Sequence, residues 1–383
     1  QRFIFNFYWG ILVGLQCTYS IVIIIGSIIV YSQLNYVTRK DIGFEKENLI
    51  VVKRADSFFR QREAFRDQVL QIPGVENAGF SRAVPGTNFN NNAFLLEDDP
   101  DKNTYLINQT QASFDFAQTL GAELAEGRFF SREYGEDSTA ILINEAAVKS
   151  LGLTDPVGKY ILQPQGPQQF QRLKIIGVMK DFNIASMHKP IEPVCFTVLG
   201  NFGGDQYVTI RLTGENVPAT IKAIEEKWQS FTSNQPFQYE FFTDSWNNLY
   251  SSEIKTGKIF LLFSLLAIFI ACLGLLGLVT YITNKRTREI GIRKTYGASV
   301  EVVLRLLSRE VVYLILISSL LAYPLAYFGA RYWLEGFASK VKINPLIYVA
   351  ATAVALAIGW LSILYQTYKA ASYSPAEALR LEK

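Results

Sequence analysis

One histidine, His188, is all that this sequence offers for imidazole chemistry, which excludes most histidine-based metal sites. Its three cysteines, Cys17, Cys195 and Cys272, are poorly placed for pairing, because two of them lie inside apolar runs. No CxxC or Cys/His metal spacing occurs, and no disulfide can be drawn within a soluble domain. The GxxxxGK[ST] pattern is missing, so this chain does not bind ATP through a phosphate-cradling loop. A net charge of +3 over 383 residues is too small to suggest a nucleic-acid partner. The most telling shortage is local. Four long stretches contain no Asp, Glu, Lys, Arg or His at all.

Those stretches run at about 7–31, 259–282, 311–330 and 346–368, in a chain that is 49% apolar. Each is long enough to cross a hydrocarbon core of about 30 Å at ~1.5 Å per residue. The first is too long for the apolar core of a signal peptide, and no small-x-small cleavage pattern follows it, so it reads as a retained anchor. The chain begins at Gln1, which suggests a processed product or a piece of something longer. Lysine and arginine set the orientation. Segment 284–310 carries Lys285, Arg286, Arg288, Arg293, Lys294, Arg305 and Arg309, whereas the loop before the fourth run carries only Arg331, Lys340 and Lys342. The expected arrangement has both termini and 284–310 in the cytoplasm, and a domain at 32–258 outside. Spans without charge argue against an ion-coupled transporter, whose pathway needs a polar lining. In the first run Gln16, Thr18 and Ser20 suit interhelical hydrogen bonds, and Pro324 is expected to kink the third. In the second run Ser264, Ala267, Ala271, Gly274 and Gly277 share one face at spacings of three and four. They form a stripe where another helix, of this chain or of a second copy, can approach closely.

The fold class expected is therefore an α-helical membrane protein with four transmembrane helices and an α/β (α+β) extracytoplasmic domain of two subdomains. The domains are 1–31 (first span), 32–258 (outer domain) and 259–383 (three further spans). Within 32–258 two similar patterns stand out. Strand 49–53 is followed by a helix bearing Phe58, Phe65, Val69 and Ile72, then by a strand at 78–82. Strand 207–212 is followed by Pro218, a helix bearing Ile221, Ile224, Trp228 and Phe231, and the alternating 237–241. Two βαβ units at about 45–85 and 205–245 would flank an insert at about 86–205, with short strands at 140–143 and 173–178. The segments 88–92 and 163–169 read as loops, being rich in Gly, Pro and Asn. Asp181, Ser186 and His188 lie close in sequence, yet GxSxG is absent and one loop is a poor frame for a triad. The acidic run Glu97, Asp98, Asp99 and Asp101 lacks DxDxDG spacing and reads as a solvated loop.

Segment 284–310 is the most informative. It reads as a basic helix continuing from the second span, with Glu289 and Arg293 paired at i, i+4. Gly297 makes a left-handed stop and Ser299 an N-cap for a second helix lying along the membrane surface. The run Lys285-Arg-Thr-Arg-Glu-Ile-Gly-Ile-Arg-Lys294, followed by Tyr-Gly-Ala-Ser, resembles the signature of MacB/FtsX-type ABC permeases. So do Ser374-Pro-Ala-Glu-Ala-Leu-Arg380, Glu126-Gly-Arg-Phe-Phe130, Ile143-Asn-Glu-Ala-Ala147, Leu151-Gly-Leu-Thr-Asp-Pro-Val-Gly158 and Ile176-Gly-Val-Met-Lys-Asp-Phe182.

This resemblance implies a permease of the type VII, mechanotransmitting kind, in a bacterial inner membrane with its large domain in the periplasm. It implies a cytoplasmic ABC ATPase dimer as partner, which would hold ATP and magnesium, so that this chain needs no cofactor and no catalytic residue of its own. A second permease unit, a homodimer mate or the other half of a tandem chain, is also implied. By analogy Arg286, Arg288, Glu289, Ile290, Arg293, Lys294 and Gly297 form the ATPase-coupling segment, while Ala267, Ala271, Gly274 and Gly277 pack helices. The work implied is export or extraction of a periplasmic substrate, with a periplasmic or outer-membrane partner. The alternative is an FtsX-like regulator that activates a cell-wall hydrolase or a sensor.

Overall fold

The computed structural model describes residues 2–55, 61–199, 207–232, 235–285 and 300–371. These residues form two compact units, Thr38–Ser251 and the helices on either side of it in sequence. The helical unit contains α1 (Arg2–Arg39), α7 (Ser251–Lys285), α8 (Val300–Leu334) and α9 (Leu346–Ala371). Among the described residues, three stretches are long and apolar enough to cross a membrane: Ile11–Thr38, Ser251–Tyr281 and Val311–Leu334. Leu346–Leu361 is a shorter apolar helix.

Both α1 and α7 outrun the apolar runs on their outer-domain side, reaching Arg39 and starting at Ser251. A charge-free window marks where a bilayer can sit, but a helix satisfies its own backbone and continues through polar residues. The surface helix expected after Ser299 is likewise not separate: Val300–Leu334 is one helix with Pro324 inside it.

In the outer domain, β1 (Leu49–Lys53), β2 (Val75–Ser81), β10 (Tyr207–Leu212) and β11 (Tyr239–Phe241) form an antiparallel stretch of sheet ordered β11-β1-β10-β2. The two β-α-β patterns are therefore interleaved rather than side by side. Strand β10 lies between β1 and β2, and β1 between β10 and β11, which is the split βαβ arrangement of ferredoxin-like folds. Helices α2 (Arg62–Val69) and α5 (Val217–Phe231) supply Phe65, Val69, Ile224 and Trp228 to a core with Ile50 and Ile210.

The intervening chain carries β3 (Asn90–Leu96), β4 (Thr104–Ala112), α3 (Phe116–Thr119), β5 (Leu124–Gly127), β6 (Ala140–Asn144), α4 (Glu145–Leu151), β7 (Tyr160–Gly166), β8 (Gln169–Met179) and β9 (Val194–Val198). Six of these strands close a ring, β4-β3-β7-β8-β6-β9 and back to β4, because β4 pairs in parallel with β9. Closure leaves no open sheet edge within the ring. Its apolar core includes Phe94, Ile107, Ile143, Ile161, Leu173 and Cys195.

Each segment read as a loop is one only in part, at 88–89 and at the turn 167–168. Asn90–Leu96 is a strand, and 163–169 is the tip of the β7–β8 hairpin. Asn and Gln have weak strand preference, but here they satisfy one another. Gln109 donates to Thr197 Oγ1 at 2.8 Å and accepts from Gln163 Nε2 at 2.8 Å, while Asn92 donates to the same Gln109 oxygen. Mutual hydrogen bonding makes burial of these amides tolerable.

Candidate functional site

Within the outer domain, the segment that follows α1 and the segment that precedes α7 share one aromatic joint. Lys46 Nζ donates to the Thr38 carbonyl at 2.7 Å, capping the end of α1. Gly43 then adopts φ +87°, and a Cβ there would lie 2.4 Å from the Asp181 carbonyl oxygen and 2.7 Å from Phe182 Cα. Only glycine fits that approach. It delivers Phe44 edge-on to Phe182, Phe242 and Trp246, at centroid distances of 6.3, 5.3 and 6.2 Å. Phe242 and Trp246 sit one turn apart on α6 (Phe242–Asn248), which leads into α7. Thr243 Oγ1 donates to the Lys46 carbonyl at 3.1 Å, and Asn183 N donates to the Ile42 carbonyl at 2.8 Å. Edge-to-face rings contribute about 0.5–1.5 kcal/mol per pair beyond their burial, which stabilises the joint.

The motif Lys180-Asp-Phe182 is the far side of this joint, and the neighbouring motifs hold it. Asp181 Oδ1 accepts from Ala146 N at 2.8 Å, and Asp181 N donates to Glu145 Oε2 at 3.0 Å. Burial pushes the Asp181 carboxyl above its usual range. Asn144 caps α4 through Ala147 N at 3.0 Å; its Oδ1 also accepts from Val194 N at 2.8 Å, and its Nδ2 donates to the Glu192 carbonyl at 3.0 Å. Gly127 and Gly177 let β5 approach β8, since a Cβ on either would lie 2.4 Å from a backbone oxygen across the pair. Three motifs singled out in the sequence thus act here as a scaffold.

No catalytic constellation forms from the residues considered for one. Asp181 binds the start of α4, whereas His188 stacks on Tyr250 at 6.5 Å and Tyr250 Oη accepts from Met187 N at 2.9 Å. Asp99 turns its own loop by accepting from Asp101 N and Asn103 N, and Glu97 pairs with Arg172 at 2.7 Å. Among the described residues no group of three or more His, Cys, Asp or Glu could hold a metal ion. Cys17, Cys195 and Cys272 are free thiols, and full burial pushes Cys195 far above its ordinary value.

In the helical unit the small-residue stripe faces α1 of the same chain. Ser264 Oγ meets Ser27 Oγ at 2.6 Å, and Ser20 Oγ donates to the Ala267 carbonyl at 3.2 Å. Ala267 and Ala271 are buried, and a Cβ on Gly274 would lie 2.3 Å from Gln16 Oε1. Gly277 differs: a Cβ there would meet nothing within 4 Å. At the far end of α1, buried Gln33 clasps the loop before α9, donating to the Ser339 carbonyl at 2.8 Å and accepting from Val341 N at 2.7 Å. The coupling residues Arg286, Arg288, Glu289, Ile290, Arg293, Lys294 and Gly297 lie outside the described residues, as does 374–380. Sequence reasoning missed the joint, whose signal was the aromatic content of the short segments flanking two spans, Phe44 on one side and Phe242, Trp246 and Tyr250 on the other.

Comparison with known proteins gives two family matches. Residues 18–227 match the MacB-like periplasmic core domain and residues 261–375 the FtsX-like permease C-terminal region. The macrolide export ATP-binding/permease protein MacB of Chromobacterium violaceum is 26% identical over 282 residues, covering 70% of this chain and 42% of that protein. The chain thus spans less than half the length of this relative. An uncharacterized ABC transporter permease of Bacillus subtilis, YknZ, is 23% identical over 347 residues, covering 86% of this chain and 80% of that protein. Among solved structures, the periplasmic region of MacB from Actinobacillus actinomycetemcomitans matches at 12% identity over 54% of this chain and 94% of that one. Its TM-score of 0.39 is too low to bear on the fold by itself.

Proposed function

We propose a function from the premise that this chain belongs to the family of MacB/FtsX-type ABC transporter permeases, its residues 18–227 and 261–375 matching that family's outer and membrane regions in order. Membrane-crossing helices and a MacB-like periplasmic domain fit an inner-membrane protein. In our reading α9 is a fourth span, both termini are cytoplasmic, and the two outer-domain cores are two subdomains. A partner ATPase dimer, holding ATP and magnesium, grips the segment between α7 and α8, where Arg286, Arg288, Glu289, Ile290, Arg293 and Lys294 are the contacts and Gly297 the turn. Its closure moves the helices of this chain and of a second permease unit. The outer domain then moves to export or extract a periplasmic substrate without a path through the spans.

One observation supports the reading: within the outer domain, Phe44 from the segment that follows α1 and Phe242 and Trp246 from the helix that precedes α7 share one aromatic cluster with Phe182. Uncharged spans support it too, since levers need packing and not a polar lining. The MacB-like match across the outer domain favours an exporter over a regulator of a cell-wall hydrolase. The test is Arg288→Glu and Arg293→Glu in the complex with its ATPase. Loss of ATPase capture, or of the turnover that the permease stimulates, is expected. Unchanged capture together with unchanged turnover would overturn the proposal.

A further inference from the structure

A cleft of about 690 Å³ lies outside the six-strand ring, lined by Arg128, Tyr134, Asp137, Tyr160, Arg172 and Lys174, with Glu133 also lining it. Its volume is in the range of ligand sites, about 300–1,000 Å³. Nothing in the aromatic joint or the helical unit uses it.

The wall is built by β8. Leu173 and Ile175 point into the ring core, so Arg172, Lys174 and Ile176 alternate outward with the two-residue period of a strand. Tyr160 stands beside Lys174 in the β7–β8 register. The Arg172 guanidinium lies 3.5 Å from the centre of the Tyr160 ring, and Arg128 lies 4.0 Å from that of Tyr134 on the opposite loop. Two guanidinium–aromatic contacts therefore line the same cleft as Lys174.

The cations differ in how far they are already satisfied. Arg128 makes two 2.7 Å bonds to the buried carboxylate of Asp137, and is part of the wall. Arg172 is bonded to Glu97 through Nε and Nη2, but both partners are solvent-accessible, and such pairs hold weakly. Lys174 is half-buried, yet among the described residues its ammonium has no hydrogen bond or ion pair. Glu133, which also lines the cleft, is exposed. The cleft thus presents one unanswered cation and one exchangeable cation on the same strand face, about 6.6 Å apart along the chain. That spacing is the side-chain repeat on one face of any extended peptide.

We propose that this cleft binds an acidic peptide segment in extended conformation, offered by a partner protein on the same side of the membrane. One carboxylate of the segment meets Lys174, and the next on that face meets Arg172 in competition with Glu97. Side chains between them rest on the Tyr134 and Tyr160 rings. This does not depend on the coupling mechanism proposed above, so either can fail alone.

The test uses the full chain in detergent micelles and a fluorescent acetylated decapeptide of alternating Glu and Val, followed by anisotropy at low salt. The same peptide with Lys for Glu is the control. Binding of the Glu peptide only is expected, with at least tenfold weakening in Lys174→Glu and about threefold in Lys174→Gln. Glu133→Gln should tighten binding about twofold, an opposite change that misfolding would not produce. Unaltered thermal unfolding of each variant establishes that the fold survives. Equal binding of both peptides would overturn the proposal, as would no binding of either or indifference to Lys174→Glu. Displacement of the peptide by citrate at equal concentration would overturn it too, reassigning the site to small free anions.

Discussion

In the outer domain one buried side chain, Asn144, holds three backbone groups from two separate segments. In the helical unit a buried hydroxyl such as Ser20 makes one bond to the facing helix, and Ser319 bonds back to the Ile315 carbonyl of its own helix while accepting from Thr352 Oγ1 of α9 at 3.2 Å. The difference follows from where each backbone finds its partners. A helix satisfies its N–H and C=O groups internally, so its polar side chains only add to packing. A β domain with long connections has strand ends, caps and turns that must be closed by side chains, and there a single amide can organise a whole corner. The outer domain therefore relies on single polar residues at its corners, whereas the bundle relies on shape along its helix faces and on Gln33 where a loop must be held.

The sharpest way to break this comparison is Asn144→Ala. Loss of the cap and of partners for buried backbone groups should cost about 3 kcal/mol, summing cap and orphan penalties. Urea unfolding of the full chain in micelles would measure it, and a cost under about 1 kcal/mol would remove the contrast. Next comes Ser27→Ala, which deletes the 2.6 Å contact with Ser264. It should cost about 0.6 kcal/mol, the usual worth of a hydrogen bond between membrane helices. A cost near that of Asn144→Ala would show that the bundle too depends on polar contacts. The smallest effect concerns Glu97, whose carboxyl is held below its usual range by the hydrogen bond from Arg172. A carboxyl depressed in the folded state stabilises the fold above its unfolded pKa and loses that contribution as pH falls through the folded value. Unfolding midpoints of the protein and of Arg172→Gln, compared from neutral to acid pH, should converge as Glu97 protonates. A constant gap would refute the assignment.

Much of the architecture was legible in the residues. Strands 49–53 and 207–212 coincide with the observed bounds, and the faces bearing Phe65, Val69, Ile221, Ile224 and Trp228 point where their spacing directs them. The strands around Asn92 and Gln163 were not legible, because their amides are compatible with a strand only when Gln109 and Thr197 stand opposite. The joint was hidden for a related reason. Phe44, Phe182 and Trp246 are far apart in sequence, and no local pattern says that they share a cluster.

What the sequence determined unaided is whatever depends on short-range pattern: apolar runs long enough for a bilayer, the positions of strands and helices, and the small residues on one face of α7. Tertiary structure alone decided that the two β-α-β units interleave and that six strands close on themselves. It also decided that α1 covers the stripe from Ser264 to Gly274, and that Lys174, without a side-chain partner among the described residues, lines one cleft with Arg128 and Arg172. Periodicity is a property of neighbours along the chain. Pairing, closure and an unmet charge depend on which distant segment arrives beside it.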